Sequence, residues 1–341
     1  MSRFFQRIGK IIVILFLIAL IIILLFFVLE KINQAREIQE NAVEILREEG
    51  EITVYFCPSD DCEAKLLHKL NQSRAIIHCA FYSLNVESIV SLLEQKSSAG
   101  IDVKLIVDAD NREATQHVSF VKYDTRSAYM HNKFCVLDGK EISTGSMNPT
   151  VGDTTENNNN LLFISSPTLA RNYEAEFQSF WRGDFGKDDA VEFSKIIFNN
   201  FTIENYFCPE DDCEEHIAAI LENATTSIKF MQFSFTSDVL GNILLEKSRY
   251  VEVAGIFEKM QESQYSEYEM LKNAGANVSV DENGWLLHHK IFIVDNAIVI
   301  TGSMNPSKNG NENNDENILI IHDKEIARVY LEEYEKIRKI N

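Results

Sequence analysis

The chain has 341 residues, 45% of them apolar, and a formal net charge of −20. That length suits two domains of about 150 residues, each with enough apolar side chains for its own core. The acidic balance argues against long-range capture of polyanions, although salt screens charge beyond roughly 8–10 Å and leaves a local cationic site possible in principle.

Residues 11–29 are 19 consecutive apolar residues without charge, glycine or proline. As a helix they would span about 28 Å, close to the hydrocarbon thickness of a bilayer. A cleaved signal peptide would carry a shorter apolar run ending in small residues, whereas Phe26, Phe27, Val28, Leu29 and Glu30 stand here. An uncleaved transmembrane anchor is therefore expected. Arg3, Arg7 and Lys10 precede it and a glutamate-rich stretch follows. The positive-inside rule places residues 1–10 in the cytoplasm and the large C-terminal part outside it. Ile32, Ala35, Ile38, Ala42 and Leu46 recur at helical spacing and predict a helical stalk over residues 30–50.

From residue 51 the chain repeats itself, as residues 51–185 and 200–341, with a polar hinge at 182–189 between them. The phrase Tyr55-Phe56-Cys57-Pro58, closed by Cys62, returns as Tyr206-Phe207-Cys208-Pro209, closed by Cys213. Each phrase reads as a strand leading into a helix, 63–70 or 214–222. A β-type run follows (75–82, 227–235), then a second helix (86–99, 239–249) and another strand (103–107, 251–257). A strand at 131–137 or 288–294 has a partner strand at 141–144 or 297–301. A last strand (161–164, 318–321) and an acidic amphipathic helix close each unit. Strands alternating with helices predict an α/β fold, an α-β-α sandwich in each half. The asparagine-rich tracts 152–160 and 308–317 read as surface loops.

The two C-x4-C pairs admit a local disulfide in each repeat, two ligands of a metal site, or free thiols; the first requires an extracytoplasmic location. Cys79 and Cys135 fall in apolar runs and read as core residues. Asp108, Asp110 and Asn111 follow a strand and could form a metal cluster, but Glu258-Lys259 does not repeat it, and they read as loop or substrate-edge residues. Tyr129 and Trp285 suit either a pocket mouth or the core.

The most informative repeat is His131, Lys133, Asp138, Gly145, Ser146 and Asn148, matched at identical spacing by His288, Lys290, Asp295, Gly302, Ser303 and Asn305. On an extended strand residues i and i+2 share a face, so each histidine projects with its lysine while Asn132 and His289 turn away. An imidazole can attack or donate a proton, an ammonium group neutralises phosphate, and hydroxyl and amide groups bind its oxygens. Two such sets suit one phosphodiester held between two histidines.

Both copies fulfil H-x-K-x4-D-x6-G-S-x-N without a gap. On these residues the chain resembles the phospholipase D superfamily over nearly all of 51–341. The single anchor and the Tyr-Phe-Cys-Pro opening make the layout most similar to the Zucchini, or mitochondrial cardiolipin hydrolase, branch. That branch builds its site from two identical chains with one motif each; this chain holds both, so no second copy is expected to complete the site. The resemblance implies two tandem phospholipase D-like sandwich domains with pseudo-twofold symmetry. It also implies a two-step displacement without metal or other cofactor. One histidine forms a phosphohistidine, and the other protonates the leaving oxygen and then activates water or an alcohol.

The implied catalytic set is His131, Lys133, Asp138, His288, Lys290 and Asp295. The two aspartates take positioning roles, because an odd number of positions separates each from its lysine. Ser146, Asn148, Ser303 and Asn305 would bind the phosphate. Glu316 stands where the family has a histidine-orienting glutamate. In the first repeat Asn159 stands there instead, with Glu156 three residues earlier. The expected substrate is a phospholipid, reached from a bilayer held through residues 11–29. A nuclease acting on single-stranded DNA or RNA and an inactive phosphate-binding module are the alternatives.

Overall fold

Two mixed β-sheets carry the molecule in the computed structural model, which describes residues 46–187 and 189–340. In chain order the strands of the first repeat are β1 (Leu46–Glu48), β2 (Ile52–Cys57), β3 (Ile76–Phe81), β4 (Asp102–Asp108), β5 (Val121–Asp124), β6 (Lys133–Leu137), β7 (Glu141–Gly145) and β8 (Asn159–Ser165). Those of the second are β9 (Lys195–Phe198), β10 (Phe201–Cys208), β11 (Ser227–Gln232), β12 (Glu252–Glu258), β13 (Asn277–Asp281), β14 (Lys290–Val294), β15 (Ile298–Gly302) and β16 (Glu316–Ile321). The helices are α1 (Cys62–Gln72), α2 (Glu87–Ser98), α3 (Val151–Thr155), α4 (Pro167–Arg182), α5 (Cys213–Glu222), α6 (Asp238–Lys247), α7 (Tyr268–Asn273), α8 (Lys308–Glu312) and α9 (Lys324–Arg338).

The first sheet runs β2-β8-β7-β6-β3-β4-β5, and the second repeats that order as β10-β16-β15-β14-β11-β12-β13. In both, the three strands on one side of the sheet are parallel and the rest antiparallel. The second sheet is extended by β9 and by β1, which pairs in parallel with β9. The stalk expectation is thereby corrected at its end: Leu46–Glu48 is a strand, because its backbone completes the edge of the second sheet. Residues 1–45, which hold the expected anchor and the rest of the stalk, lie outside the described residues. Among the described residues no helix is long and apolar enough to cross a membrane.

Helices pack on both faces of each sheet. The outer core of the first repeat joins Leu66, Leu70, Ile89 and Leu93 to Ile77, Leu105 and Leu137. On the other face lies α4, started by Ser166 accepting from the Leu169 amide, with Pro167 in its first turn, and ended by Gly183 at φ 95°. Its stripe Leu169, Tyr173, Phe177 and Phe180 follows helical periodicity and is buried against Phe134, Val136 and Ile142. The same cluster includes Ile203, Phe207, Leu319 and Ile321 of the second sheet. In the second repeat α9 does the corresponding work, with Tyr330, Tyr334 and Ile337 against Ile291, Ile293 and Phe56. Each closing helix thus packs on its own sheet and against the other, fixing the two sheets as one body.

All six cysteines are paired. Cys57–Cys62 and Cys208–Cys213 close the turns after β2 and β10, as the disulfide alternative supposes. Cys79 and Cys135, read from sequence as plain core residues, are also bonded to each other. They face one another across β3 and β6, a register that sequence alone does not reveal. The matching pair in the second sheet is Phe230 opposite Phe292. The Phe230 ring fills the space where a Cβ at Gly255 would stand, only 2.1 Å from the ring.

Candidate functional site

The motif strands are shorter than expected. Regular pairing begins at Lys133 and Lys290, and the histidines lie just before it. Here the backbone crosses to the other repeat. His131 N donates to Asp315 O at 2.9 Å, and His288 N donates to Asn158 O at 2.9 Å. Isolated bridges at Met130–Asp315 and Asn158–Leu287 continue this stitching. Asp108 and Glu258, at matched strand ends, brace the segments by accepting from Met130 N at 3.2 Å and Leu287 N at 2.6 Å. That matched role replaces the simple loop reading of Asp108.

The stitching brings the two motifs to one buried cluster. His131, Lys133, His288 and Lys290 are all buried. Each imidazole lies near enough to both ammonium groups to feel their charge. Tyr82 stands edge-on to His131 and Phe233 edge-on to His288, with ring centres 4.9 and 4.7 Å away. Lys133 Nζ donates to His131 O at 2.5 Å, and Lys290 Nζ donates to His288 O at 2.7 Å. One of three ammonium protons is used in each case, which leaves two for an anion.

The orienting contacts are exchanged between repeats. His131 Nδ1 lies 2.7 and 2.8 Å from the carboxylate oxygens of Glu316, a residue of the second repeat. His288 Nδ1 lies 2.8 Å from Asn159 Oδ1, a residue of the first. Behind Asn159 a carboxylate does approach His288, and it is Asp153: its Oδ2 is 3.5 Å from Nδ1. Glu156, the acid noted from sequence, is the residue after α3 and makes no such contact with His288 among the described contacts. Asp153 escaped sequence reading because its counterpart is Gly310, so no repeat marked it. An acid on one copy's short helix facing a glycine on the other's was the available signal.

Ser146 and Ser303 are committed to this scaffold. Ser146 Oγ donates to Asn159 Oδ1 at 3.1 Å and accepts from Asn160 N at 3.0 Å. Ser303 Oγ donates to Glu316 Oε2 at 2.6 Å and accepts from Asn317 N at 2.9 Å. Their hydroxyl protons thus hold the orienting residues, in place of the expected contact with phosphate. Asn148 Nδ2 likewise donates to Asp153 at 2.8 Å, while Asn305 is half-buried beside Met304. Gly145 and Gly302 are required by close approach: a Cβ there would stand 2.3 Å from Asn160 O or 2.2 Å from Asn317 O.

The asparagine-rich tracts are corrected as well. Their C-terminal ends, 159–160 and 314–317, are buried, because the amides of Asn160 and Asn317 bond across the two sheets. Asn317 Nδ2 donates to Asn132 Oδ1 at 2.6 Å, and Asn317 Oδ1 accepts from Thr144 and Tyr173. Asn160 meets the matching Thr301 and Tyr330 with the roles reversed, its Nδ2 donating to their hydroxyls at 2.8 and 3.1 Å. Asn132 and His289 therefore serve the interface, as residues turned from the site.

Asp138 and Asp295 stand away from the cluster and are corrected from the catalytic set. Five residues of strand, about 16 Å, separate each from its lysine. Asp138 accepts from the amides of Arg74, Ala75 and Ile76, and Asp295 from those of Thr225, Thr226 and Ser227. Both adopt positive φ at the turn after the motif strand. Burial opposes their charge, but these donors hold both carboxyls below the usual range. Tyr129 and Trp285 are exposed, so neither belongs to the core.

Burial dominates the electrostatics of the cluster. It pushes both imidazoles well below the usual histidine range, and the neighbouring ammonium groups act in the same direction. Lys133 is pushed down to about 8 by burial, against the pull of Glu316 and Asp153. Glu316 is pushed up to about 8, against the pull of Lys133 and Ser303. Asp153 differs: burial raises it, but His288 and hydrogen bonds from Asn157 and Asn148 together hold it below the carboxylate range. The arrangement can hold an anion between two lysines and two anchored imidazoles.

A mixed α/β fold with a doubled His-Lys site of this kind defines the phospholipase D class. The family described as "Cardiolipin synthase, PLD-like domain" matches residues 66–181 and again 217–338. The chain belongs to the phospholipase D superfamily. The mitochondrial cardiolipin hydrolase of Canis lupus familiaris is 37% identical over 116 residues, 33% of this chain and 46% of that protein. A phospholipase D of Rickettsia conorii is 28% identical over 134 residues, 39% of this chain and 67% of that protein. The chain spans about half the length of the curated mammalian hydrolases it matches. The phosphatidylserine synthase of Haemophilus influenzae shares the fold, with a TM-score of 0.61 at 11% identity over 83% of this chain and 86% of that one.

Proposed function

We propose that this protein is a phosphodiesterase that acts on phospholipids through a phosphohistidine intermediate, with one site built from both repeats. The observation that carries the reading is the convergence of His131 and His288, each anchored through Nδ1, on one buried cluster with both motif lysines. Relatives named for cardiolipin and for phospholipase D activity support the phospholipid class.

His131 is the nucleophile. Its ring attacks phosphorus as the bond to the leaving alcohol breaks, and His288, which holds a proton once the anionic phosphate offsets the two ammonium groups, delivers that proton to the alkoxide. The phosphorylated imidazole carries a positive charge, which favours the carboxylate form of the directly bonded Glu316 against the burial that raises it, and the pair offset one another. Water, or an alcohol, then gives a proton to His288 and attacks phosphorus, breaking the N–P bond and restoring His131. Lys133 and Lys290 neutralise the equatorial oxygens. Residues 11–29 anchor the chain in a bilayer, and tethering raises the local concentration of lipid substrate. Three disulfides support an oxidising, extracytoplasmic location for the catalytic part.

The test uses the full chain with phospholipid vesicles, single-stranded DNA and bis(p-nitrophenyl) phosphate, each with and without EDTA. Hydrolysis of lipid that persists in EDTA is expected. Cleavage of DNA alone would replace the lipid reading with the nuclease one, and binding without turnover would leave a phosphate-binding module. With the activated ester, which needs no acid to release its leaving group, His288→Ala should still accumulate phosphoenzyme. His131→Ala should not; the reverse result would exchange the two roles.

A further inference from the structure

We propose that Asp153 is the positioning residue for His288, supplying from helix α3 the negative charge that Glu316 supplies to His131 from strand β16. The inference rests on the proposed two-histidine site and assigns the source of its second carboxylate.

Four observations converge on it. The residue matched to Glu316 is Asn159, an amide that accepts from His288 but carries no charge. Asp153 Oδ2 lies 3.5 Å from the same His288 Nδ1, and the side chain is buried. Its carboxylate is fixed by donors: Asn148 N and Nδ2 reach Oδ2 at 2.9 and 2.8 Å, and Asn157 Nδ2 reaches Oδ1 at 2.8 Å. In the second repeat the matching position is Gly310, where a Cβ would stand 2.3 Å from Asn305 O. The second repeat has no space for an acid on its helix and carries one on its strand; the first has exchanged the two positions. Each histidine therefore keeps one buried carboxylate.

The charge matters because His288 faces cations from more than one element. Lys290 stands on its own strand, and Lys133 and His131 come from the first motif; Asp153 is the opposing charge. Without Asp153 the imidazolium that forms when His288 takes a proton from water would face Lys290 and Lys133 with no carboxylate beside its own ring. An opposite charge within about 4–6 Å shifts a titration by roughly 1–3 pH units.

The experiment titrates 15N-histidine-labelled full-length chain by NMR between pH 4 and 9, with inorganic phosphate present to oppose the lysine charges. It compares the native chain, Asp153→Asn and the double variant Asp153→Asn/Asn159→Glu. The His288 midpoint should fall by about one pH unit or more in the single variant and return in the double one, where the carboxylate introduced on β8 would face His288 as Glu316 faces His131. The His131 midpoint, which Asp153 also raises from farther away, should fall less than that of His288. Turnover should drop about tenfold in the single variant and recover in the double. A merely structural role in pinning Asn148 would not be rescued from position 159. A His288 ring that stays neutral to pH 4 in the native chain, a midpoint unmoved by Asp153→Asn, or a midpoint not recovered in the double variant would overturn the proposal. If the native chain hydrolyses no phosphodiester, the proposed function fails, while the titration still decides the role of Asp153.

Discussion

His131 meets its carboxylate directly, at 2.7 Å, whereas His288 meets an amide at 2.8 Å and a carboxylate behind it at 3.5 Å. The two repeats share strand order, turns and motif, yet reach a similar charge balance by different residues. Hydrogen bonding depends on direction and must come from one place on the neighbouring strand. Coulombic support depends mainly on distance and can come from another element. The outer cores differ in the same spirit. One cross-strand site holds the Cys79–Cys135 disulfide and its counterpart holds Phe230 against Phe292, their ring centres 5.9 Å apart. A covalent link and two packed rings fill equivalent space.

The largest effects should come from the histidines, which break the comparison if they are unequal on a natural substrate. His131→Ala and His288→Ala should each lower kcat on phospholipid about a thousandfold or more, measured by release of the free head group. Glu316→Gln should cost about a hundredfold, roughly ten times the loss in Asp153→Asn, because it removes the direct contact. Equal losses would erase the distinction between the two pockets.

Stability tests separate the repeats further. Removing Cys79–Cys135, which closes 56 residues, should cost about 4 kcal/mol in denaturant unfolding, against roughly 2 for Cys57–Cys62, which closes 5. The smallest effect belongs to Asp138 and Asp295, whose replacement by Asn should cost about 1–2 kcal/mol with kcat per folded molecule unchanged. Their carboxyls are depressed in the folded chain, so their contribution is complete above the unfolded value near 4 and is lost as pH falls below it. In Asp295→Asn the decline in urea midpoint between pH 5 and pH 3 should be shallower than in the native chain.

The doubled motif, the repeat boundaries near the hinge and most strands and helices were legible because spacing and periodicity are local properties. The short strands β1, β5, β9 and β13, at or next to a sheet edge, were not, since they exist through pairing with neighbouring strands rather than through their own pattern. The His-Lys pairs were legible as a site. Their orientation was not, because Glu316 serves a histidine 185 positions away and Asp153 has no repeated partner. The same long-range dependence hid the Cys79–Cys135 bond and made the asparagine tracts look like surface. Polar residues read as exposed until their partners on the facing sheet are known.

The crossed backbone bonds, His131 N to Asp315 O and His288 N to Asn158 O, have a consequence for how small such an enzyme can become. Neither half contains the acceptors that bond its own imidazole Nδ1 and histidine amide; each lends them to the other. A single copy expressed alone would keep its motif but lack the partner backbone that aims it, so the least divisible working unit is the pair. Cutting the connection between them should do far less harm than discarding one of them.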